Sequence, residues 1–512
     1  MTPAQELAPR DVLRDRGHVL MHVGGAGMPA VAGEWIDVTA PSRDGARLAR
    51  VPRGRAPDVD RAVAAARAAL HQWRALHFTQ RQQALLACSA SLAEHAEELA
   101  LLTAADTGNA LRPQAGPETQ TLVSLFRYFA GAASEVKGVV LPAGDGQLQY
   151  THRQPVGVVG AILPWNSPLM IAGMKIPAAL AAGNTVVVKA AEDAPLTVLR
   201  LAELCAPHLP PGVLNVITGY GPECGAPLSA HPGVDKVSFT GSTAVGRIVG
   251  RVAAERLVPV SLELGGKSPT IVWPDAASPG RLDETADGII TGMRITRQGQ
   301  SCTAGSRLFV HADVYDTVLD RVIGRLRSLR VGDPLQEATD MGPLINARQF
   351  GRVAEYIADG ASRPGIEIAL DGMASEYRAQ GDLYMGPTVF SRADNAWRLA
   401  QEEIFGPVIV AIPWKSDEEV IAMANDSHYG LAAYLWCHDL DRALRAAARI
   451  DSGWVQVNQG GGQVVGQSYG GVKDSGLGRE FSVEGMLEAF TTVKQVNVRL
   501  SSPAGKDMTV AR

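Results

Sequence analysis

From Val156 onward, short apolar runs alternate with helical stretches, and this alternation restricts the fold more than any other feature. The runs are VGVVGAIL, TVVVK, VLNVITG, KVSFTG and VPVSLEL, and helix-like segments such as PLMIAGMKIPAALAAG and TAVGRIVGRVAAERL separate them. Continuous apolar strands are covered on both faces, and helical crossovers between them make the strands parallel. A doubly wound parallel sheet is expected, with ligands at the carboxyl ends of its strands. A second α/β series begins at SRLFVH and continues through VYDTVLDRVIGRLRSL, which places Cys302 close to the seam between two domains. A chain of 512 residues has room for two or three domains.

Upstream, Val59, Val63, Ala66, Leu70 and Trp73 recur at helical steps behind an expected N-cap at Asp58, and Leu85, Cys88, Leu92, Ala96 and Leu99 mark a second helix. Residues 137–154 break the pattern with two β-rich runs around Gly144, Asp145 and Gly146, which predicts a hairpin. Among helices, such a hairpin would serve another subunit. The net charge of -5 leaves no footprint for nucleic acid or an anionic membrane, so small molecules are the expected partners. No run approaches the roughly 20 apolar residues of a membrane span. The start, MTPAQELAPRDVLRDRGHVLMHVGG, lacks the apolar core of a signal peptide, and a cytoplasmic location is expected. Five cysteines, odd in number and without a C-x-x-C pair, read as reduced thiols rather than a disulfide framework or a metal site.

Five stretches carry chemistry. In KVSFTGSTAVGR a strand runs through Gly241 and Ser242 into a helix, which is either a pyrophosphate site or an ordinary N-cap turn. In TVVVKAAED, Lys189 and Glu192 stand where a nucleotide ribose would sit, or else on a solvated loop; Glu192 would repel a 2′-phosphate and favour NAD. Asn166 in AILPWNSPLM is an oxyanion donor or an Asx-turn ahead of Pro168. Glu263 in SLELGGKSP is a buried general base or half of a buried ion pair. Cys302, in RQGQSCTAGSR, has small hydroxyl neighbours and glycines at 299 and 305, which would let backbone N–H groups approach a bound carbonyl oxygen.

Together, and in this order, these stretches resemble the NAD(P)-dependent aldehyde dehydrogenase superfamily from about Val31 to Val498, with further matches in QEEIFGPVI, NDSHYGLAA, GWVQVNQG and SYGGVKDSGLGRE. The resemblance implies oxidation of an aldehyde to a carboxylic acid through a thiohemiacetal and a thioester on Cys302. Asn166 and the Cys302 amide would hold the oxyanion, Glu263 would activate water, and Lys175 and Glu480 would relay protons behind it. Cofactor contacts would come from Pro164, Trp165, Lys189, Glu192, Gly241, Ser242, Leu264, Glu403 and Phe405, with NAD as the cofactor, NADP as the second choice and no metal. The implied fold is α/β: a Rossmann-type doubly wound cofactor domain (1–132 and 156–264), a second α/β catalytic domain (265–474) and a β-ribbon oligomerisation element (133–155 and 486–512). That ribbon would make a homodimer or homotetramer.

The sequence also departs from this pattern. Ser167 and Met174 stand where many relatives carry aromatic residues, and Gln463 falls near another such position, so a roomier mouth for bulky or aromatic aldehydes is expected. Those missing rings argue against a choline-derived aldehyde, and Met174 offers no arginine for a dicarboxylic semialdehyde. Arg297 replaces a frequent asparagine and reads as a structural ion pair, with thiol activation or contact with an acidic substrate as the other readings. Three rivals share the fold or the thiol. A CoA-acylating semialdehyde dehydrogenase tends to lack the base matched by Glu263; a non-catalytic binding protein would lose Cys302, Asn166 or Glu263; an esterase would need no NAD.

Overall fold

The computed structural model describes residues 15–500; residues 1–14, with most of the segment read for a signal peptide, and residues 501–512, the end of the expected ribbon, lie outside it. Five runs become the parallel strands β1 (Val158–Ile162), β2 (Thr185–Lys189), β3 (Leu214–Ile217), β4 (Lys236–Thr240) and β5 (Val260–Glu263). They lie in the order β3-β2-β1-β4-β5. Met21–Val23 and Gly476–Leu477 run antiparallel along the two outer sides. Alternate residues serve the two faces: Val159, Ala161, Val186 and Val188 join one apolar core, while Val158, Ile162, Val187 and Ile217 join the other. Strand order reverses between β1 and β4, so the crevice of this sheet opens between Pro164-Trp165-Asn166 and Gly241-Ser242.

Only Leu264 to Ser268 separate β5 from the second sheet. That sheet is built from β6 (Pro269–Val272), β7 (Arg307–His311), β8 (Thr388–Ser391), β9 (Val408–Trp414), β10 (Ala432–Trp436) and β11 (Trp454–Val457). Its strands are parallel in the order β8-β9-β7-β6-β10-β11, with Glu367–Leu370 antiparallel beyond β8. Glu263 therefore ends the first sheet, and Cys302 lies a few residues ahead of β7 in the second.

Gln147–Pro155 pairs antiparallel with Thr491–Arg499 on one side and with the short Val140–Leu141 on the other. The predicted hairpin is present; Val140 on it and Val493 on the strand paired with it are 68% and 57% exposed. Two local expectations change. Pro57 occupies the first turn, so the first helix is Ala56–Ala75 and Asp58 lies inside it, accepting from the Arg55 and Val31 amides at 2.9 and 2.8 Å. The second helix is two, Phe78–Glu94 and Ala96–Thr107, broken where the His95 backbone turns to φ -107°, ψ 21°. Among the described residues no helix is long and apolar enough to cross a membrane, and no cluster of three His, Cys, Asp or Glu side chains could hold a metal ion.

Candidate active site

A cleft of about 1310 Å³ runs along the seam and is lined by Pro164, Trp165, Asn166, Lys189, Glu192, Gly241, Ser242, Glu263, Leu264, Cys302, Glu403 and Phe405. Of the sequence-derived site residues, only Lys175 and Glu480 do not line it; they are buried behind it.

The turn that presents Cys302 is strained. Arg294 and Gln298 are left-handed at φ 59° and 52°, and Gly299 follows at φ 63°, where a Cβ would lie 2.2 Å from the Gly406 carbonyl. Buried side chains hold this shape: Arg294 donates to Thr303 Oγ1 at 3.2 Å, to Tyr434 Oη at 3.1 Å and to the Gly461 carbonyl at 2.9 Å. A Cβ on Gly266 would meet the Cys302 carbonyl at 2.1 Å, so the second glycine of LGGK lets the Glu263 segment close on the cysteine. The amides of Gly299 and Gly305 donate to the Arg294 and Gly292 carbonyls, both at 3.0 Å, so these glycines act sterically, and an N–H they let approach a ligand is a neighbour's, such as that of Cys302.

Four of the five cysteines are buried, while Cys302 is half-exposed. Its Sγ lies 3.6 Å from Tyr469 Oη. Burial pushes the thiol up to about 11, against the pull of Tyr469; Glu403 and Glu263 raise it further and Arg297 lowers it. At neutral pH such a group is a thiol, and forming the thiolate requires a base or a bound electrophile. Asn166 is fixed by two amide contacts: its Nδ2 donates to the Gln300 carbonyl at 2.8 Å, and its own carbonyl accepts from Asn109 Nδ2 at 3.1 Å. One hydrogen of the Asn166 amide remains for a ligand.

Glu263 is 4% exposed, and neither carboxylate oxygen has a hydrogen-bond partner. The buried-ion-pair alternative therefore does not apply to it. Burial raises its pKa well above the carboxylate range, and Glu480 adds to the rise; Lys175 and Arg479 offset part of it. Behind it, Lys175 Nζ donates to Glu480 Oε1 at 2.7 Å and to Ser238 Oγ at 2.9 Å, and Ser238 Oγ donates to the same Glu480 oxygen at 3.1 Å.

At the other end, Lys189 Nζ and Glu192 Oε2 are paired at 2.6 Å. Ser242 caps the helix Thr243–Glu255, its Oγ accepting from the Val245 amide at 3.4 Å. The N-cap reading of Ser242 holds, and the helix N-terminus still faces the cleft. Glu403 Oε1 accepts from the Gly266 amide at 2.9 Å, and burial raises its carboxyl to about 7. Phe405 is left-handed at φ 62° and meets Trp165 edge to face, centroids 5.4 Å apart. This end fits a dinucleotide: the Thr240 hydroxyl is buried there without a partner, beside a cation, a carboxylate and a helix N-terminus.

Sequence reasoning missed Tyr469, Asn109, Arg294 and Glu118. Glu118 accepts from Ser167 Oγ and from the Leu169 and Met170 amides at 3.0 to 3.2 Å, anchoring the helix Pro168–Ala181. Of these, only Tyr469 had a sequence signal, a ring at the start of a motif already singled out. Two readings of the departures change. Met174 is 1% exposed in the core and does not line the cleft, so its identity says nothing about the mouth. Arg297 lines the cleft, and among the described residues no carboxylate comes within the 4.0 Å of an ion pair.

A thiol beside the switch point of a doubly wound sheet defines a class, enzymes that join covalent catalysis to a nucleotide cofactor. Comparison with known proteins narrows it. The aldehyde dehydrogenase family profile matches residues 29–496. Hydroxyisobutyraldehyde dehydrogenase of Mycolicibacterium austroafricanum is 41% identical over 488 residues, 95% of each chain. Retinaldehyde dehydrogenase 3 of Mus musculus is 40% identical over 460 residues, 89% of this chain and 88% of that one. An aldehyde dehydrogenase from Bacillus cereus, solved as an NAD+ complex, superposes with a TM-score of 0.90 at 36% identity, covering 94% of this chain and 97% of that one. The chain belongs to the aldehyde dehydrogenase family.

Proposed function

We propose that the chain oxidises an aldehyde to a carboxylic acid with NAD, and that it releases the acid by hydrolysis rather than to CoA. NAD, when bound, supplies a nicotinamide ring that accepts hydride. Lys189, Glu192, Gly241 and Ser242 would hold its adenosine ribose and pyrophosphate, and Pro164, Trp165, Leu264, Glu403 and Phe405 its nicotinamide half. As Cys302 Sγ attacks the aldehyde carbon its proton passes to Glu263, directly or through water, and the oxyanion of the thiohemiacetal takes the free hydrogen of the Asn166 amide and the Cys302 N–H. After oxidation a thioester remains on Cys302. Glu263 removes a proton from water, the hydroxide adds to the thioester carbonyl, and the thiolate leaves. Lys175 and Glu480 lie behind Glu263 as the route by which its proton departs.

The observation that carries this reading is the convergence of Cys302, Asn166 and an unpartnered Glu263 on one cleft. A thioester handed to CoA would need no such base. The relative named for retinaldehyde supports a bulky aldehyde. Tyr469 supplies a ring at the nucleophile, so the mouth is less bare of aromatic walls than Ser167 and Gln463 suggest. The exposed three-stranded ribbon supports a homodimer or homotetramer, with residues 1–132 and 156–264, 265–474, and 133–155 with 486–512 as the three structural divisions. Thiols without disulfides suit the cytoplasm. Reduced-nicotinamide absorbance with NAD and an aldehyde panel, with and without CoA, tests the proposal. Turnover indifferent to CoA and lost by about 10⁴-fold in Cys302→Ala is expected; CoA-dependent turnover would overturn the hydrolytic reading.

A further inference from the structure

We propose that Arg297 is an anion anchor in the aldehyde site, so that the preferred aldehydes carry a carboxylate remote from the reacting carbon. The inference deepens the dehydrogenase reading and rests on it.

Four cations line the cleft: Lys189, Arg297, Arg348 and Arg352. Lys189 and Arg348 have carboxylate partners at 2.6 and 3.6 Å, and Arg352 donates to the Glu403 carbonyl at 2.7 Å. Arg297 differs in being half-buried, next to the nucleophile and held by a neutral group. With the Gln114 amide oxygen turned toward it, Nη2 and Nε donate to that oxygen at 2.5 and 3.1 Å. Nη1 has no acceptor among the described residues. The carboxylate whose charge reaches Arg297 most strongly is Glu118, and its oxygens are already taken by Ser167 Oγ and the Leu169 and Met170 amides. Arg297 thus has a neutral amide oxygen as its direct partner and the charge of Glu118 only at longer range, an arrangement that leaves a guanidinium partly removed from water able to take a ligand carboxylate directly. Arg297 belongs to the turn that fixes Asn166 through the Gln300 carbonyl and carries Cys302, so an anion bound to it shares one rigid support with the reacting carbon.

The test pairs aldehydes that differ in one charge: 4-formylbenzoate against benzaldehyde, and unbranched ω-formyl carboxylates of graded length against their methyl esters. The wild-type chain is expected to turn over the charged member about 10- to 100-fold better in kcat/KM at the optimal length. In Arg297→Gln that ratio collapses toward one, and in Arg297→Lys it partly recovers. Titration calorimetry with terephthalate and adipate, which needs no turnover, is expected to show saturable binding to the wild type that is lost in Arg297→Gln. A wild-type ratio of one or below, or a ratio unchanged in Arg297→Gln, overturns the anchor. Failure of every aldehyde to reduce NAD would instead tell against the dehydrogenase reading, and calorimetry would still decide the anchor.

Discussion

The two ends of the cleft treat polar groups in opposite ways. At the far end the charged groups are satisfied, Lys189 paired with Glu192 and Ser242 capping its helix, and the Thr240 hydroxyl is left without a partner. Around the nucleophile, among the described residues, both oxygens of Glu263 are unpartnered, Arg297 has no carboxylate within ion-pair distance, and the Cys302 thiol has one hydroxyl partner, Tyr469. Buried polar groups are normally satisfied, so unsatisfied ones mark where a ligand or a reaction completes the structure. The paired end can bind a large cofactor by exchanging contacts it already makes. The unpaired end leaves polar groups poorly solvated, which costs stability, makes Glu263 a stronger base and keeps Cys302 a thiol until a base or a bound electrophile engages it.

The difference can be broken from either side. Asn166→Ala removes one of the two donors for the developing oxyanion and should lower kcat by about 10²–10³-fold with little change in NAD affinity, read from steady-state kinetics and a fluorescence titration. Lys175→Met strands Glu480 as a buried charge without its cation and should cost about 3–5 kcal/mol of stability in chemical denaturation. An unchanged denaturation midpoint would mean that the pair behind the base is not a structural anchor. Glu192→Gln, at the already paired end, should weaken NAD binding only about 3- to 10-fold and narrow the gap between NAD and NADP. An effect as large as that of Asn166→Ala would show that the two ends are not distinct in kind.

Much of this was legible in the sequence because the fold is written in local periods. The strand runs from Val158 to Glu263 fixed the sheet and its switch point, and so placed Asn166 and Gly241 at one crevice. Cys302 and Glu263 stood out for flanking residues that a core position would not need. What the sequence could not show depends on partners distant along the chain. Tyr469 reaches Cys302 across 167 residues, and Gln114, not a carboxylate, receives Arg297. The amide of Gly299 is consumed within its own turn and that of Gly305 by the Gly292 carbonyl of a preceding helix, which residue type alone does not reveal. Met174 faces the core because the helix Pro168–Ala181 is buried along its whole length, leaving no amphipathic signal to orient it.

The central claim is that Glu263 serves water attack on a Cys302 thioester, and Glu263→Gln tests it most directly. Mixed rapidly with NAD and a good aldehyde, this variant should release a single equivalent of NADH per chain and then slow by about 10²–10⁴-fold. Mass spectrometry of the quenched protein should find the acyl group on the peptide containing Cys302. Steady turnover at the wild-type rate, with no burst and no acyl adduct on Cys302, would contradict the account.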